Sequence, residues 1–311
     1  RRVATSGFGS QAGARPQGVA VAPELRRRSA AAAVLLLAAA GLVAADQIAD
    51  FLQRKLIYHP FRSDAERRMA RSLLQRAVVE LAELSYEVIE LPYNASPVFS
   101  LLGLRGPLRQ RALLIAPSAP AADASGGRPA AALQRLWVVV GGNAMCSTDW
   151  LPFVLTLLQQ PRCGGAHAFL LLDYPGYGDN EGQPCAGLAL RSAEAGVCAA
   201  LEVLGARRCT PEALGFLGHS LGCAAVLQLA AGLSSQRPCW LRGTRLARRI
   251  VLSAPFTSIP NMGLALFGGL RGAGAVIATV ASTSRHTWDN ELSLRSLAKS
   301  SEKFGQVPPS V

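Results

Sequence analysis

The residues that could do chemistry gather around one serine. In the stretch GFLGHSLGCAAVL, Gly215 to Leu227, Ser220 stands between Gly218 and Gly222 in a Gly-x-Ser-x-Gly pattern. A serine hydroxyl attacks carbonyl carbons when its oxygen is presented at a sharp turn and its proton has somewhere to go. Glycines two residues before and two after the serine allow a strand to turn directly into a helix without Cβ clashes. Such a turn lifts the hydroxyl over the end of the strand, where the helix N-terminus favours developing negative charge. The pattern alone is weak in a chain with 30 glycines. Set between the apolar LGFLG and the small, apolar CAAVLQLAAGL, it becomes specific.

Acyl transfer also needs two N–H donors aimed at the oxyanion. One comes from the residue after the nucleophile, here Leu221, and the other from a turn after an earlier strand. LWVVVGGNAMCSTDW, Leu136 to Trp150, ends an apolar run in Gly141-Gly142-Asn143-Ala144, a turn whose glycines leave backbone N–H groups accessible. An ordinary glycine turn is the competing reading, and its position one strand-helix unit before the serine turn weighs against it.

The elements needed to position these groups are legible as alternation. YEVIEL (86–91), ALLIAP (112–117), LWVVV (136–140), AFLLLDY (168–174), LGFLG (214–218) and IVLSAP (250–255) read as strands. Several are apolar throughout, as a strand covered on both faces requires. Helices are expected near 149–159, 186–204 and 221–233, and a Pro/Gly/Ser-rich loop at 116–130. Strands alternating with helices imply an α/β fold, a mostly parallel sheet flanked by helices.

The 311 residues, 50% hydrophobic and 17% charged, argue against disorder and suffice for one large domain with an N-terminal extension. The expected organisation is a basic targeting or cytoplasmic leader at 1–28, an apolar signal or membrane-anchor segment at 29–46, a helical connector at 47–75 and the catalytic domain at 76–311. The net charge of +12 owes much to the leader, where six Arg face only Glu24. The other basic residues are scattered without aromatic interleaving, so no nucleic-acid partner is expected. The run from Ala30 to Ala45 is short for a spanning helix, which wants about 20 apolar residues. A single-pass anchor, a signal cleaved after Val43-Ala44-Ala45 and a buried Ala-rich helix all fit it, and the Arg cluster before it favours membrane targeting. The seven cysteines show no Cys/His metal spacing, and no metal is expected. GGNAMC lacks the Lys and spaced third Gly of a phosphate-cradling loop, and no cofactor is expected.

Five ordered motifs together resemble the α/β-hydrolase superfamily, and within it the membrane-associated Bem46-like branch: LIYHP (56–60), the turn at Gly142 to Ala144, DYPGYGDNEG (173–182), GHSLG (218–222) and APFTSI (254–259). The resemblance implies that Ser220 is the nucleophile, that Gly218 and Gly222 shape its elbow, and that the N–H groups of Asn143 and Leu221 form the oxyanion hole. It implies a structural role for Asp173. Gly141 stands where that branch commonly has a histidine.

The triad order of this fold is serine, acid, histidine. After the elbow only His286 remains, and it precedes Asp289, which reads as the cap of a helix at 289–297. In the resembled branch a strand, an acid, a final strand and a histidine would follow near the point where this sequence stops, so the last strands of the fold are expected to be missing. The expectation is a fragment of a serine hydrolase acting on a carboxylic ester, thioester or amide, with very low activity as written. The rival is a non-catalytic, membrane-tethered binding or scaffold protein. A small-molecule or lipid ester is the expected substrate and a membrane the expected partner. The segment 257–285 is either a specificity-setting lid or core.

Overall fold

A computed structural model describes residues 47, 51, 54, 55, 57–60, 63–96, 106–118, 133–160, 166–241, 243–267 and 288–303. The chain divides into two compact units, Arg1–Ile48 and Ala49–Val311. Only Gln47 of the first is described; the sheet, the helices and the site all belong to the second. The expected leader (1–28), the apolar segment (29–46), most of the loop at 116–130, His286 and the 268–285 part of the lid segment lie outside the described residues. Among the described residues no helix is long and apolar enough to cross a membrane.

Six strands form one sheet: β1 (Tyr86–Ala95), β2 (Leu108–Pro117), β3 (Leu133–Val140), β4 (Ala166–Leu172), β5 (Ala213–His219) and β6 (Arg245–Ser253), in the spatial order β1-β2-β4-β3-β5-β6. β2 runs antiparallel to both β1 and β4, whereas β4, β3, β5 and β6 are mutually parallel. All six expected strands are present, most of them longer than their apolar runs. Hydrophobicity marks only the buried stretch, while the ladder continues to exposed ends such as Arg109 and Arg245.

The helices are α1 (Asp64–Glu83), α2 (Leu151–Leu158), α3 (Ala186–Ala206), α4 (Leu221–Gln236), α5 (Ile259–Phe267) and α6 (Asn290–Lys303). α1 starts in a capping box: Ser63 Oγ accepts from the Glu66 N–H, and the Ser63 N–H donates to Glu66 Oε2 at 2.6 Å. The helix expected at 149–159 splits into a 3-10 turn, Ser147–Trp150, and α2. Pro152 lies in the first turn of α2, where its missing N–H costs no bond.

The pleat of each central strand separates two cores. Leu113 and Ile115 of β2, Val139 of β3, Phe169 and Leu171 of β4 and Leu217 of β5 face one cluster with Ala77 and Leu81 of α1 and Leu151 and Val154 of α2. Their sequence neighbours Leu114, Val138, Leu170 and Phe216 face the other, with Val197 of α3, Leu227 of α4 and Leu297 of α6. Both sheet faces are therefore covered, which is why the strands read as continuous apolar runs and not as alternation. Each of these large aliphatic side chains contributes roughly 1.5–3 kcal/mol by leaving water.

Register decides where the site lies. Leu172 pairs with Val140, Val140 with Gly218, and His219 with Ser253. The four parallel strands thus end at one level, and the loops leaving them meet over the C-terminal edge, where open α/β sheets place their ligands.

Candidate active site

Ser220 is the single residue between β5 and α4. Its backbone sits at φ 50, ψ −114, a region costly to any residue with a Cβ, roughly 1–3 kcal/mol. Surrounding contacts impose that conformation. The Ser220 N–H donates to the Ser253 carbonyl at 2.8 Å, and the Ser220 carbonyl accepts from Cys223 N–H at 3.0 Å. An ideal Cβ on Gly222 would lie 2.1 Å from the Val140 carbonyl oxygen, and one on Gly218 would lie 2.5 Å from the Gly222 oxygen. Both positions admit only hydrogen, so β5, the turn and α4 stack backbone on backbone. Ser220 itself is half-buried.

The glycine turn after β3 abuts this elbow. An ideal Cβ on Gly142 would stand 3.5 Å from Ser220 Cβ and 3.3 Å from His219 Cδ2. Leu221 opens α4, so its N–H has no acceptor within the helix and lies at the positive end of the helix dipole. Three consecutive carbonyls of the turn are tied. Gly141 O accepts from the Tyr174 hydroxyl at 3.0 Å, and Gly142 O from the Met145 N–H at 3.2 Å. Asn143 O accepts from the Tyr177 hydroxyl at 2.5 Å and from the His59 N–H at 3.2 Å. No peptide is cis among the described residues, so each N–H points away from the carbonyl it shares a plane with. Tying these carbonyls fixes the N–H groups of Gly142, Asn143 and Ala144. The turn can present preoriented donors beside Ser220, as an oxyanion hole requires.

Below the turn lies an aromatic layer. Tyr174 and Tyr177 meet edge to face at 5.2 Å, Trp288 packs on Tyr174 at 6.5 Å, and Trp288 Nε1 donates to the Tyr58 hydroxyl at 2.8 Å. Burial pushes the Tyr58, Tyr174 and Tyr177 hydroxyls well above the ordinary phenol range, so they remain proton donors at any physiological pH. LIYHP, DYPGYGDNEG and the tryptophan before α6 are thereby joined under one turn.

Of the other residues singled out in sequence, Asp173 clamps a neighbouring loop: its carboxylate accepts from the Ser147 N–H at 2.6 Å and the Ser147 hydroxyl at 2.7 Å. Asp289 caps α6, accepting from the Leu292 N–H at 2.8 Å. His219 Nδ1 shares a hydrogen bond with Ser253 Oγ at 3.0 Å. His167 opens β4, at the far end of the strand from the site. Among the described residues no side chain hydrogen-bonds Ser220 Oγ. Sequence reasoning gave no role to Tyr174, Tyr177 or the His59 N–H. The signal available for the tyrosines was chemical: a hydroxyl on an otherwise apolar, buried ring must find a partner.

No family model matches the chain, and no curated protein matches it. Solved structures do. An α/β hydrolase from Vibrio vulnificus superposes with a TM-score of 0.52 at 14% identity, covering 81% of this chain and 73% of that one. An esterase from Pyrococcus furiosus (TM-score 0.41, 11% identity) covers 69% of this chain and 68% of that one. Carboxyl esterase 2 from the fungus Tuber melanosporum (TM-score 0.37, 15% identity) covers 64% and 55%. The chain has the α/β-hydrolase fold, a mostly parallel mixed sheet flanked by helices.

Proposed function

We propose that this chain is a serine hydrolase that cleaves a carboxylic ester, thioester or amide through an acyl-enzyme on Ser220. One observation carries the reading: Ser220 is held at φ 50 between β5 and α4, with the Gly142 turn so close that a Cβ on Gly142 would lie 3.5 Å from Ser220 Cβ. In the forward reaction Ser220 Oγ bonds to the substrate carbonyl carbon, and the oxyanion is held by the N–H groups of Asn143 and Leu221. Collapse expels the alcohol, thiol or amine with a proton, and water then releases the acid from the ester on Ser220.

The proton on Ser220 Oγ must go to a base, and none of the described side chains contacts it. Slow turnover is the expected behaviour if no base reaches Ser220 Oγ, at the level that oxyanion stabilisation and binding alone sustain, about 10³- to 10⁴-fold over water. The substrate is a small-molecule or lipid ester. The Bem46-like motifs and the basic leader with its apolar run support placement at a membrane or in an organelle or secretory lumen. The same lack of a contact to Ser220 Oγ supports a second reading, a non-catalytic binding protein on this fold.

A fluorophosphonate probe with imidazole as an external base separates the two. Slow labelling that accelerates with imidazole, maps to Ser220 and vanishes in Ser220→Ala supports the hydrolase. A chain that stays unlabelled with imidazole present is the binding protein.

A further inference from the structure

A cavity of about 350 Å³ opens between α1, the β1–β2 pair and the loops after β3 and β4. None of Gly141, Gly142, Asn143 or Ser220 lines it, so it is separate from the elbow. Arg67 and Arg71, one helical turn apart on α1, line one wall, and Arg111 of β2 another. Leu74, Ala112 and Leu113 contribute apolar surface.

The charges are arranged unevenly. Three carboxylates also line the cavity, and each is engaged: Glu90 and Asp179 both lie 3.6 Å from Arg111, and Asp173 is hydrogen-bonded twice by Ser147. Arg67 and Arg71 have no ion pair among the described residues, and the Ser63–Glu66 capping box fixes the helix turn that carries them.

We propose that this cavity binds a phosphate monoester carried on an apolar or aromatic group. A phosphate monoester brings about two negative charges and three acceptor oxygens. Arg67 and Arg71 match that charge, and their guanidinium forks match the oxygens. Leu74, Ala112 and Leu113 take the organic part. The inference does not depend on Ser220 being a nucleophile.

Calorimetric titration of the full chain with inorganic phosphate and with phenyl phosphate tests it. Saturable binding is expected for both, tighter for phenyl phosphate, and Arg67→Ala/Arg71→Ala should weaken it at least about tenfold. Arg245→Ala/Arg295→Ala, which removes the same formal charge elsewhere on the surface, should leave affinity within about twofold. Absence of saturable binding, or equal loss in both arginine pairs, overturns the proposal, whatever the fluorophosphonate probe does at Ser220.

Discussion

The hydroxyl of Tyr177 donates to the carbonyl of Asn143 at 2.5 Å, while the same hydroxyl accepts from the His59 N–H at 2.9 Å. The loop after β4 thus holds the turn after β3, and the segment before α1 holds both. Strand order makes this possible. β3 and β4 are parallel neighbours with Val140 opposite Leu172, so their loops leave the sheet side by side. The Asn143 carbonyl shares its peptide plane with the Ala144 N–H, so this brace fixes the peptide that follows the Asn143 N–H and limits how far the turn can shift when charge appears beside it.

Tyr177→Phe removes the brace and keeps the ring. It should lower stability by about 1 kcal/mol, the usual net worth of one hydrogen bond, because the Asn143 carbonyl keeps the His59 N–H as a donor. It should also slow fluorophosphonate labelling of Ser220. Urea unfolding reads the first effect and the labelling rate in native buffer the second. A labelling rate equal to wild type would show that the peptide joining Asn143 to Ala144 needs no brace from Tyr177 for the reaction at Ser220.

Gly222 and Gly232 lie on the same helix and should respond oppositely to alanine. At Gly222 the new Cβ would meet the Val140 carbonyl at 2.1 Å and the Gly141 carbonyl at 2.7 Å, both backbone atoms that cannot swing aside. Gly222→Ala should therefore cost more than about 3 kcal/mol or abolish folding. At Gly232 the nearest atom is Glu194 Oε1 at 3.5 Å, an ordinary contact. Gly232→Ala should stabilise by about 0.5–1 kcal/mol through helix propensity. Thermal melts of the two variants, compared with wild type, check both signs.

The same contrast shows what the sequence could and could not reveal. The elbow was legible because its requirement is local: glycine at fixed offsets from Ser220, a strand before and a helix after. The six strands were legible because burial on both faces leaves long apolar runs such as AFLLLDY. The antiparallel placement of β2 and the register that brings Tyr174 to Gly141 and Tyr177 to Asn143 depend on pairings between segments more than 30 residues apart, which no local pattern encodes. Trp288 is a further case. It sits beside a helix cap that sequence does signal, yet its contact with Tyr58 spans 230 residues.

Cys223, on the first turn of α4, should be chemically inert. Burial pushes its thiol up to about 11, and its Sγ lies 3.2 Å from both the Gly218 and Ser253 carbonyls, which hold the S–H proton. At about pH 8, near the pKa of an unperturbed thiol, iodoacetamide should alkylate the exposed Cys239 and spare Cys223 until the protein is unfolded. Peptide mass spectrometry of native and urea-treated samples reads the difference. Native alkylation of Cys223 would mean that the elbow opens on the labelling timescale.

His167 should make stability depend on pH in the mildly acidic range. Burial, and then the nearby Arg135 guanidinium, hold its pKa below the ordinary 6.5, and its Nδ1 has no hydrogen-bond partner. With the folded pKa depressed, the unfolded chain binds more protons between the two values. Stability from this group is present above about pH 6.5 and is lost as pH falls through the folded value. Glu194 works in the opposite direction, because burial raises its carboxyl pKa and the folded state favours its protonated form. The two contributions partly cancel in a single melting curve. A difference experiment isolates the histidine: His167→Gln removes the titrating ring while Glu194 titrates in both proteins. The melting temperature of wild type relative to His167→Gln should therefore drop as pH is lowered from about 7 to about 5. A constant difference across that range would mean that His167 accepts a proton as readily folded as unfolded.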